Sequence, residues 1–421
     1  MKILLVHNSY QQHGGEDTVV EQERQLLERA GHGVAVYQRS NHEIQDCSAV
    51  GRLQLPGRAV WATDSRRQIA ELISRHRPDV IHVHNTFVVV SPSIYSACQE
   101  AQIPVVQTLH NYRLLCPAAT FFRNGKVCEE CVDHSLWRGI RYGCYRDSRL
   151  ETATVALMLA IHRHRGTWTQ DVNCYIALTE FVRRKFVDGG LPEDKIFVKP
   201  NFVHPDPGAD QEDHGRAGYA LFVGRLSPEK GVRTLLAAWQ RLHSRIPLLI
   251  VGDGPQRAEL EAQAEHLGLS GVQFRGFLPR AQTLAAIKGA SFLVFPSGWY
   301  EHFPVTIAEA FACSTPIICS GLGAMQEIVE DRHTGLHFTP GDADDLAVKV
   351  EWAWNHPEQV WAMGKEARRE YEVKYTADQN YQILMRIYRR AIATHPSAAQ
   401  PPQVRCPFWR DHPVKPLCDR R

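Results

Sequence analysis

The chain has 421 residues, of which 44% are hydrophobic and 22% charged, enough for two or three domains of average size. Its 48 Lys and Arg residues nearly balance 46 Asp and Glu residues, which excludes a chain-wide basic field of the kind that binds nucleic acid. The Gly and Pro counts, 29 and 24, exclude collagen-like and disordered classes. No apolar run approaches the roughly 18 residues of a membrane span, and we expect no signal peptide.

The first half of the chain alternates short apolar runs with helical patterns. Buried strands are expected at 3–6, 34–37, 78–84, 103–109, 174–178 and 196–199, with helices near 16–30 and 69–73. The region 112–170 interrupts this rhythm and is expected to be an insertion that ends in a helix from about Leu150. Alternating strands and helices predict a parallel sheet covered by helices on both faces.

The same alternation restarts after a proline-rich segment at 200–208 and a polar stretch at 211–218, which together are typical of an interdomain hinge. Strands are expected at 220–223, 247–251, 272–274, 291–295 and 316–319, with helices at 232–244, 258–267, 284–290, 305–313 and 379–394. The prediction is therefore an α/β protein with two doubly wound, Rossmann-like domains facing a central cleft. Ligands of such sheets bind at the carboxyl ends of the strands.

The domain boundaries follow from these patterns. We expect an N-terminal domain over 1–205 with a Cys-containing insertion at about 112–150, a C-terminal domain over 206–375, a final helix over 376–395 and a disordered tail over 396–421.

Two cations follow the strand at 220–223. Gly224 and Arg225 come first, Ser227 and Pro228 suit the start of a helix, and Lys230 follows. Backbone amides, a helix dipole and two cations form a good anion site, and diphosphate is the natural ligand. Two solvated cations beside a helix start are the plainer alternative.

Two carboxylates flank the expected helix start at Pro304, which follows the strand at 291–295. Glu301 lies in the loop and Glu309 lies inside the helix. Eight residues at helical rise span roughly 12 Å, more than a glycosidase carboxyl pair allows. The spacing instead suits two carboxylates that bind different hydroxyl groups of an extended ligand. The backbone amides of the first helical turn, which lie between them, could then bind an anion. Either Glu alone would more simply complement a helix dipole. Together with the cations, however, the pair describes a nucleotide-sugar pocket.

The sequence resembles the retaining glycosyltransferases of family 4, which have the two-domain GT-B fold. The second half carries the matching residues in order, namely Gly224, Arg225, Lys230, Gly231, Gly252, Asp253, Gly254, Pro255, Glu301, Glu309, Gly323, Glu327, Gly335, Pro340, Gly341 and Asp342. The first half is similar through Gly14, Gly15, Glu16, His84, Asn85, Leu109, His110, Asn111 and Tyr112. Ser314 departs from the family, which usually has Gly there, and this touches only local backbone geometry.

The resemblance implies a role for each matching residue. Arg225 and Lys230 would bind the donor diphosphate and stabilise the leaving group, Glu301 would contact the donor sugar, and Glu309 would hold the ribose hydroxyls. His110 would lie near the donor sugar, and Gly15 would let the backbone approach the donor phosphate or the acceptor. Donor-binding backbone is expected at Gly224, Leu278, Phe303, Pro304 and Val305.

The implied function is a retaining hexosyltransferase (EC 2.4) that moves a sugar from a nucleotide-sugar donor to a glycan or lipid-linked acceptor in polysaccharide or glycoconjugate synthesis. The resemblance implies neither a protein nucleophile nor a catalytic metal. Two alternatives remain open: a nucleotide-sugar epimerase on the same fold, and a protein that binds nucleotide sugar without turnover.

Four cysteines form a separate signal within the insertion. Cys128 and Cys131 are two residues apart, with Cys116 before them and Cys144 after them. This pattern fits a structural zinc site with four thiolates. Free thiols and a local disulfide are the alternatives.

The segment 138–185 is rich in Arg and contains the apolar run 155–161. Such a basic, partly amphipathic face suits peripheral contact with anionic lipid near a lipid-linked acceptor, although it also fits a solvated helix that covers the core. We expect a cytoplasmic protein, peripheral at the inner face of the membrane.

Overall fold

A computed structural model describes residues 1–11, 14–44, 49–209 and 218–396 of the chain. The predicted linker at 211–217 and the predicted tail from 397 onward lie outside the described residues.

The N-terminal half contains strands β1 (Lys2–Ser9), β2 (Gly33–Ser40), β3 (Val80–Val83), β4 (Val105–Thr108), β5 (Phe122–Arg123), β6 (Lys126–Val127), β7 (Cys174–Ala177) and β8 (Ile196–Val198). Its helices are α1 (Gly15–Arg29), α2 (Ala49–Val60), α3 (Thr63–His76), α4 (Ile94–Glu100), α5 (Glu130–Asp133), α6 (Trp137–Tyr142), α7 (Arg149–His164) and α8 (Glu180–Asp188). In the described residues, six strands form a parallel sheet in the order β2-β1-β3-β4-β7-β8, while β5 and β6 pair as a small antiparallel hairpin in the insertion.

The C-terminal half contains strands β9 (Ala220–Val223), β10 (Leu248–Val251), β11 (Val272–Gly276), β12 (Phe292–Phe295), β13 (Ile317–Ser320) and β14 (Gly335–Phe338). Its helices are α9 (Val232–Arg241), α10 (Arg257–His266), α11 (Arg280–Gly289), α12 (Val305–Ala312), α13 (Ala324–Ile328), α14 (Ala343–Asn355), α15 (Pro357–Lys374) and α16 (Ala377–Thr394). Within the described ranges these strands form a second parallel sheet in the order β11-β10-β9-β12-β13-β14. The prediction of two doubly wound domains is therefore confirmed.

Both faces of the first sheet are buried, as the apolar runs indicated. Along β1, Leu4 and Val6 belong to one apolar cluster, while Ile3 and Leu5 belong to the other. Side chains alternate between the faces of a strand, so helices must cover both sides of this sheet.

The final helix α16 returns to the N-terminal sheet. It packs against α1, β3, β4 and β7, and its residues Leu384 and Tyr388 share an apolar cluster with Val106 of β4 and Ile307 of α12. The predicted C-terminal helix therefore closes the chain onto the first domain and joins the two cores.

Ser314 lies in the turn between α12 and β13 with a φ of 59°. This is the left-handed region that glycine occupies without a steric penalty. The departure from the family pattern is thus a matter of local backbone geometry, as expected.

Candidate functional site

The loops after β9 and β12 lie in direct backbone contact. Gly231 has a φ of 71°, and a Cβ atom there would lie 2.0 Å from the carbonyl oxygen of Pro296. Only glycine fits this position. The close approach brings the loop of Lys230 against the loop of Glu301.

The helix start after β9 differs from the prediction in one respect. The segment Pro228–Lys230 forms a single 3₁₀ turn, and α9 begins only at Val232. The Ser227 hydroxyl donates to Glu229 Oε1 at 2.6 Å and makes no capping bond to a backbone amide. The predicted Ser227 cap is therefore wrong, because the neighbouring carboxylate takes the hydroxyl. Lys230 nevertheless lies close to the start of α9, separated from Val232 by Gly231.

Lys230 and Glu301 are bonded to each other. Lys230 Nζ donates to Glu301 Oε1 at 2.6 Å, and the Ser297 hydroxyl donates to the same oxygen at 2.7 Å. Glu301 is 6% exposed, and the ammonium lies over the rings of Phe295 and Trp299. The pair fixes the position of both charges at the end of β12. The sequence indicated both residues but not their contact.

Glu309 lies in α12 beside a cation that the sequence analysis missed. Arg280 Nε donates to Glu309 Oε1 at 3.3 Å, and Arg280 Nη1 donates to the carbonyl of His204 in the hinge at 2.9 Å. Burial raises the pKa of Glu309, and Arg280 partly opposes that rise. A half-buried carboxylate with one charged partner keeps acceptor capacity for hydroxyl groups.

The other predicted donor-side residues follow strand ends of the same sheet. Arg225 is exposed after β9 beside Gly224, and Leu278 is half-buried after β11. Phe303 is an exception, because its ring is buried against Tyr375 in the core. Only the backbone of Phe303 is therefore offered to a ligand. Pro304 and Val305 open α12, where the first-turn amides have no partner within the helix.

On the N-terminal side, Gly15 begins α1 and faces open space, since a Cβ atom there would meet nothing within 4 Å. His110 follows β4, and His110 Nε2 lies 3.0 Å from His84 Nδ1. Both histidines line a cavity of about 30 Å³ together with Asn111 and Arg113, which is room for about one water molecule.

A buried polar cluster lies behind His110, and sequence reasoning missed it. Lys199 Nζ donates to Glu23 Oε2 at 2.9 Å, and Glu23 Oε1 lies 2.9 Å from His82 Nδ1 and 3.5 Å from His84 Nε2. These side chains are at most 3% exposed. The alternation of His82 and His84 with apolar residues along 80–84 was the available signal, but nothing local connects it to Glu23.

The two domains also contact each other directly through hydrogen bonds. Glu327 of α13 accepts hydrogen bonds from the backbone amides of Glu180 and Phe181 at the start of α8, at 2.7 and 2.6 Å. The Tyr300 hydroxyl donates to Glu129 at 3.0 Å. A carboxylate at a helix N-terminus is favourable, so these contacts hold the two faces of the cleft together.

The four insertion cysteines are free thiols in one lobe of the N-terminal domain. Burial raises the pKa of Cys131 to about 12, and the neighbouring Cys116, Cys144 and Cys128 contribute. Among the described residues, however, the group with ligand atoms within 4.8 Å of one another is Glu23, His82 and His84, and no cysteine trio meets that distance. The thiols therefore adjoin one another without forming a closed tetrahedron.

Two family models match the chain. The model described as "Glycosyltransferase Family 4" matches residues 13–207, and the model described as "Glycosyl transferases group 1" matches residues 210–370. The two matches meet at the hinge. The first covers the N-terminal sheet except β1, and the second covers the whole C-terminal sheet.

Individual proteins agree with these matches. The glycogen synthase of Mycobacterium tuberculosis is 27% identical over 340 residues, which are 79% of this chain and 72% of that protein. The phosphatidyl-myo-inositol mannosyltransferase of Mycobacterium leprae is 29% identical over 61% of this chain and 68% of that protein. The crystal structure of HepE from Anabaena in complex with UDP-glucose superposes with a TM-score of 0.63 at 20% identity, covering 92% of this chain and 99% of HepE. The superposition with HepE shows that this chain and HepE share a fold.

Proposed function

Because the chain belongs to glycosyltransferase family 4, we propose that it is a retaining hexosyltransferase that moves a sugar from a nucleotide-sugar donor to a glycan or lipid-linked acceptor. Polysaccharide or glycoconjugate synthesis is the setting that the relatives favour.

One observation carries the proposal. The Lys230–Glu301 pair and the Arg280–Glu309 pair stand at the two ends of one segment, after β12 and in α12. A cation with a hydroxyl-binding carboxylate at each end suits a ligand with phosphates in the middle, a sugar at one end and a ribose at the other. His110, half-buried after β4 of the other domain, is proposed to complete the pocket on the sugar side.

The chemistry follows from charge. Breaking the anomeric C–O bond places negative charge on the departing diphosphate and positive charge on the sugar ring. Arg225, Lys230 and the first-turn amides of α12 stabilise the negative charge on the diphosphate, because preorganised donors act strongly in a site that excludes water. Glu301 lies near the positive charge on the sugar ring. We assign no protein nucleophile, in keeping with attack of the acceptor from the face that the diphosphate leaves. These cations need no metal beside them.

The donor is proposed to be a nucleoside-diphosphate sugar, which the UDP-glucose complex of HepE supports. The test is a thermal-shift and donor-hydrolysis screen of the purified chain against UDP-, GDP- and ADP-sugars. Stabilisation by one nucleotide series with slow sugar release supports the proposal and identifies the base. Stabilisation without release or transfer to any acceptor would favour the binding-protein alternative, and interconversion of free sugars would favour the epimerase. No stabilisation by any nucleotide sugar would overturn the donor assignment.

The acceptor side suggests contact with anionic lipid. Four large apolar side chains of α6 and α7 are exposed: Trp137 (66%), Tyr142 (46%), Leu150 (77%) and Leu157 (56%). Exposed Arg141, Arg146 and Arg149 lie among them. The apolar run 155–161 is mostly core, because Val155, Ala156, Met158 and Leu159 are buried. In the described part of the chain, no helix is long and apolar enough to cross a membrane. We propose that the α6–α7 face rests on the cytoplasmic surface of a membrane.

Replacing Trp137 and Leu150 together with Ser should weaken binding to vesicles with about 30% anionic lipid by at least tenfold, because aromatic anchors and apolar area drive interfacial binding. Vesicle flotation measures this. Val348→Ser is the matched control, since Val348 is 62% exposed on α14. Equal flotation of all three proteins, or none for the wild type, would refute the proposed surface.

The four thiols are proposed to hold one structural zinc ion after a small rearrangement of the insertion. Purified protein should then contain about one zinc per chain by elemental analysis, and Cys128→Ser with Cys131→Ser should release it and lower Tm. Cys313→Ala, a buried cysteine of the other domain, should keep the metal. Folded wild-type protein that contains almost no metal would refute the site.

A further inference from the structure

A line of side chains connects a buried carboxylate to His110. Glu23 Oε1 lies 3.5 Å from His84 Nε2, and His84 Nδ1 lies 3.0 Å from His110 Nε2. The two ring nitrogens are within hydrogen-bond distance, with ring centroids 5.3 Å apart, so an N–H of one ring donates to the lone pair of the other. Glu23 and His84 are almost fully buried, whereas His110 is half-buried and lines the same cavity as His84. The line thus runs from the core towards the end of β4.

Both histidines in the line are neutral. Burial lowers the pKa of His84 to about 3, and the neighbouring His82 adds to that effect. Burial also holds the pKa of His110 well below its ordinary value. A neutral imidazole has one N–H donor and one bare nitrogen. Each ring therefore exists as one of two tautomers, and the neighbours decide which.

Glu23 is ionised. Burial by itself raises its pKa, but the Lys199 ammonium and the neighbouring His82 outweigh this and hold the pKa well below the ordinary value. An ionised carboxylate accepts hydrogen bonds and cannot donate. A bare His84 Nε2 would therefore set its lone pair against Glu23 Oε1, so the proton of His84 belongs on Nε2. His84 Nδ1 is then bare and must accept a hydrogen bond from His110 Nε2.

We propose that Glu23, acting through His84, holds His110 in the Nε2–H tautomer, so that its bare Nδ1 accepts a hydrogen bond from a hydroxyl group of the bound sugar. Glu23 and His84 are positioning residues in this arrangement. The identity of the ligand as a sugar rests on the proposed function, whereas the tautomer rests on the contacts and charges within the cluster.

The same cluster does not require a metal ion. Glu23, His82 and His84 lie close enough together to share a cation, but the Lys199 ammonium already bonds Glu23 Oε2. His82 Nδ1 also lies 2.8 Å from the Tyr388 hydroxyl, and His82 Nε2 lies 2.8 Å from Thr108 Oγ1. The positive charge and the ring partners are thus supplied by the protein.

The tautomers can be read directly by ¹⁵N NMR of the histidine rings. In wild-type protein, His84 and His110 should both carry the proton on Nε2. His162 is an internal reference, because its Nε2 lies 3.0 Å from the carbonyl oxygen of Val60 and must donate to it. In Glu23→Leu, no acceptor remains opposite His84 Nε2, so His84 and His110 should populate the Nδ1–H tautomer while His162 stays unchanged. Lys199→Met is added to this variant so that no buried ammonium is left without a counter-charge.

Transfer by the double variant should have a kcat about tenfold lower or more, at a KM for donor within about threefold. Its Tm should be at or above that of Lys199→Met alone, because that single variant leaves the Glu23 carboxylate buried without its counter-charge. Binding of donor to wild-type protein should shift the His110 Nδ1 resonance and leave His162 in place. A wild-type proton on His110 Nδ1, or tautomers unchanged by Glu23→Leu, would overturn the proposed tautomer even if the chain is an active transferase. A third result is also informative. If the tautomers are as expected but the His110 Nδ1 resonance does not shift with a donor whose sugar the enzyme transfers, the proposed contact between Nδ1 and a sugar hydroxyl is wrong. Failure of the chain to bind any nucleotide sugar would count against the proposed function instead, because the tautomer result does not depend on it.

Discussion

A Lys230→Ala variant is expected to transfer sugar about 10²- to 10³-fold more slowly than the wild type, with the loss mainly in kcat. Lys230 is the cation that the structure fixes beside Glu301, at 2.6 Å. The negative charge on the diphosphate grows as the anomeric bond breaks, so a preorganised ammonium stabilises the transition state more than the ground state. Steady-state kinetics with varied donor separates kcat from KM.

Further variants sharpen this result. Lys365→Ala removes the same charge from the exposed surface of α15 and should leave kcat unchanged. Glu301→Gln alone measures what the carboxylate contributes, so a kcat that is lower still in the double variant Lys230→Ala with Glu301→Gln attributes the further loss to the missing cation. A kcat for Lys230→Ala within about twofold of wild type would show that the leaving group is stabilised elsewhere.

The sequence predicted the fold well where local patterns decide the structure. The strand at Ala220–Val223 has the bounds that its apolar run predicted. Gly231, in the loop after it, lies against the backbone of Pro296. The analysis missed five N-terminal helices, namely α2, α4, α5, α6 and α8, and in the C-terminal half it missed α13, α14, α15 and β14. In α2 a proline lies inside the helix at Pro56 and weakens the pattern, and α4 is only seven residues long. Short or interrupted helices carry little periodicity.

The candidate site was predictable as a set of residues but not as a set of bonds. Lys230 and Glu301 stand 71 positions apart, and nothing local indicates that they meet. The cluster behind His110 is harder still, because Glu23, His84 and Lys199 come from α1, the end of β3 and the end of β8. Only the order of the strands in the sheet brings them together. Pairings that depend on topology therefore need the structure.

A Glu309→Ala variant is expected to bind the nucleotide-sugar donor about 10- to 100-fold more weakly, because two hydroxyl groups of the ribose would lose a charged acceptor. Titration calorimetry with the nucleoside diphosphate alone measures this without turnover. Burial raises the pKa of Glu309, so wild-type affinity should fall as the pH drops through that raised pKa and the carboxylate gains a proton. Glu309→Gln cannot titrate and should lose this acid-side dependence.

The matched control is Glu351→Ala, which removes a carboxylate from the exposed side of α14 and should change neither affinity nor its pH dependence. Arg280→Ala distinguishes a direct contact from a positioning effect. Arg280 holds Glu309 in place from the hinge side, so its loss should cost less affinity than the loss of Glu309 itself. If Glu309→Ala bound donor within about twofold of wild type, the ribose would not lie at α12. The nucleotide would then have to occupy another strand end, because α12 offers no second carboxylate between Val305 and Ala312.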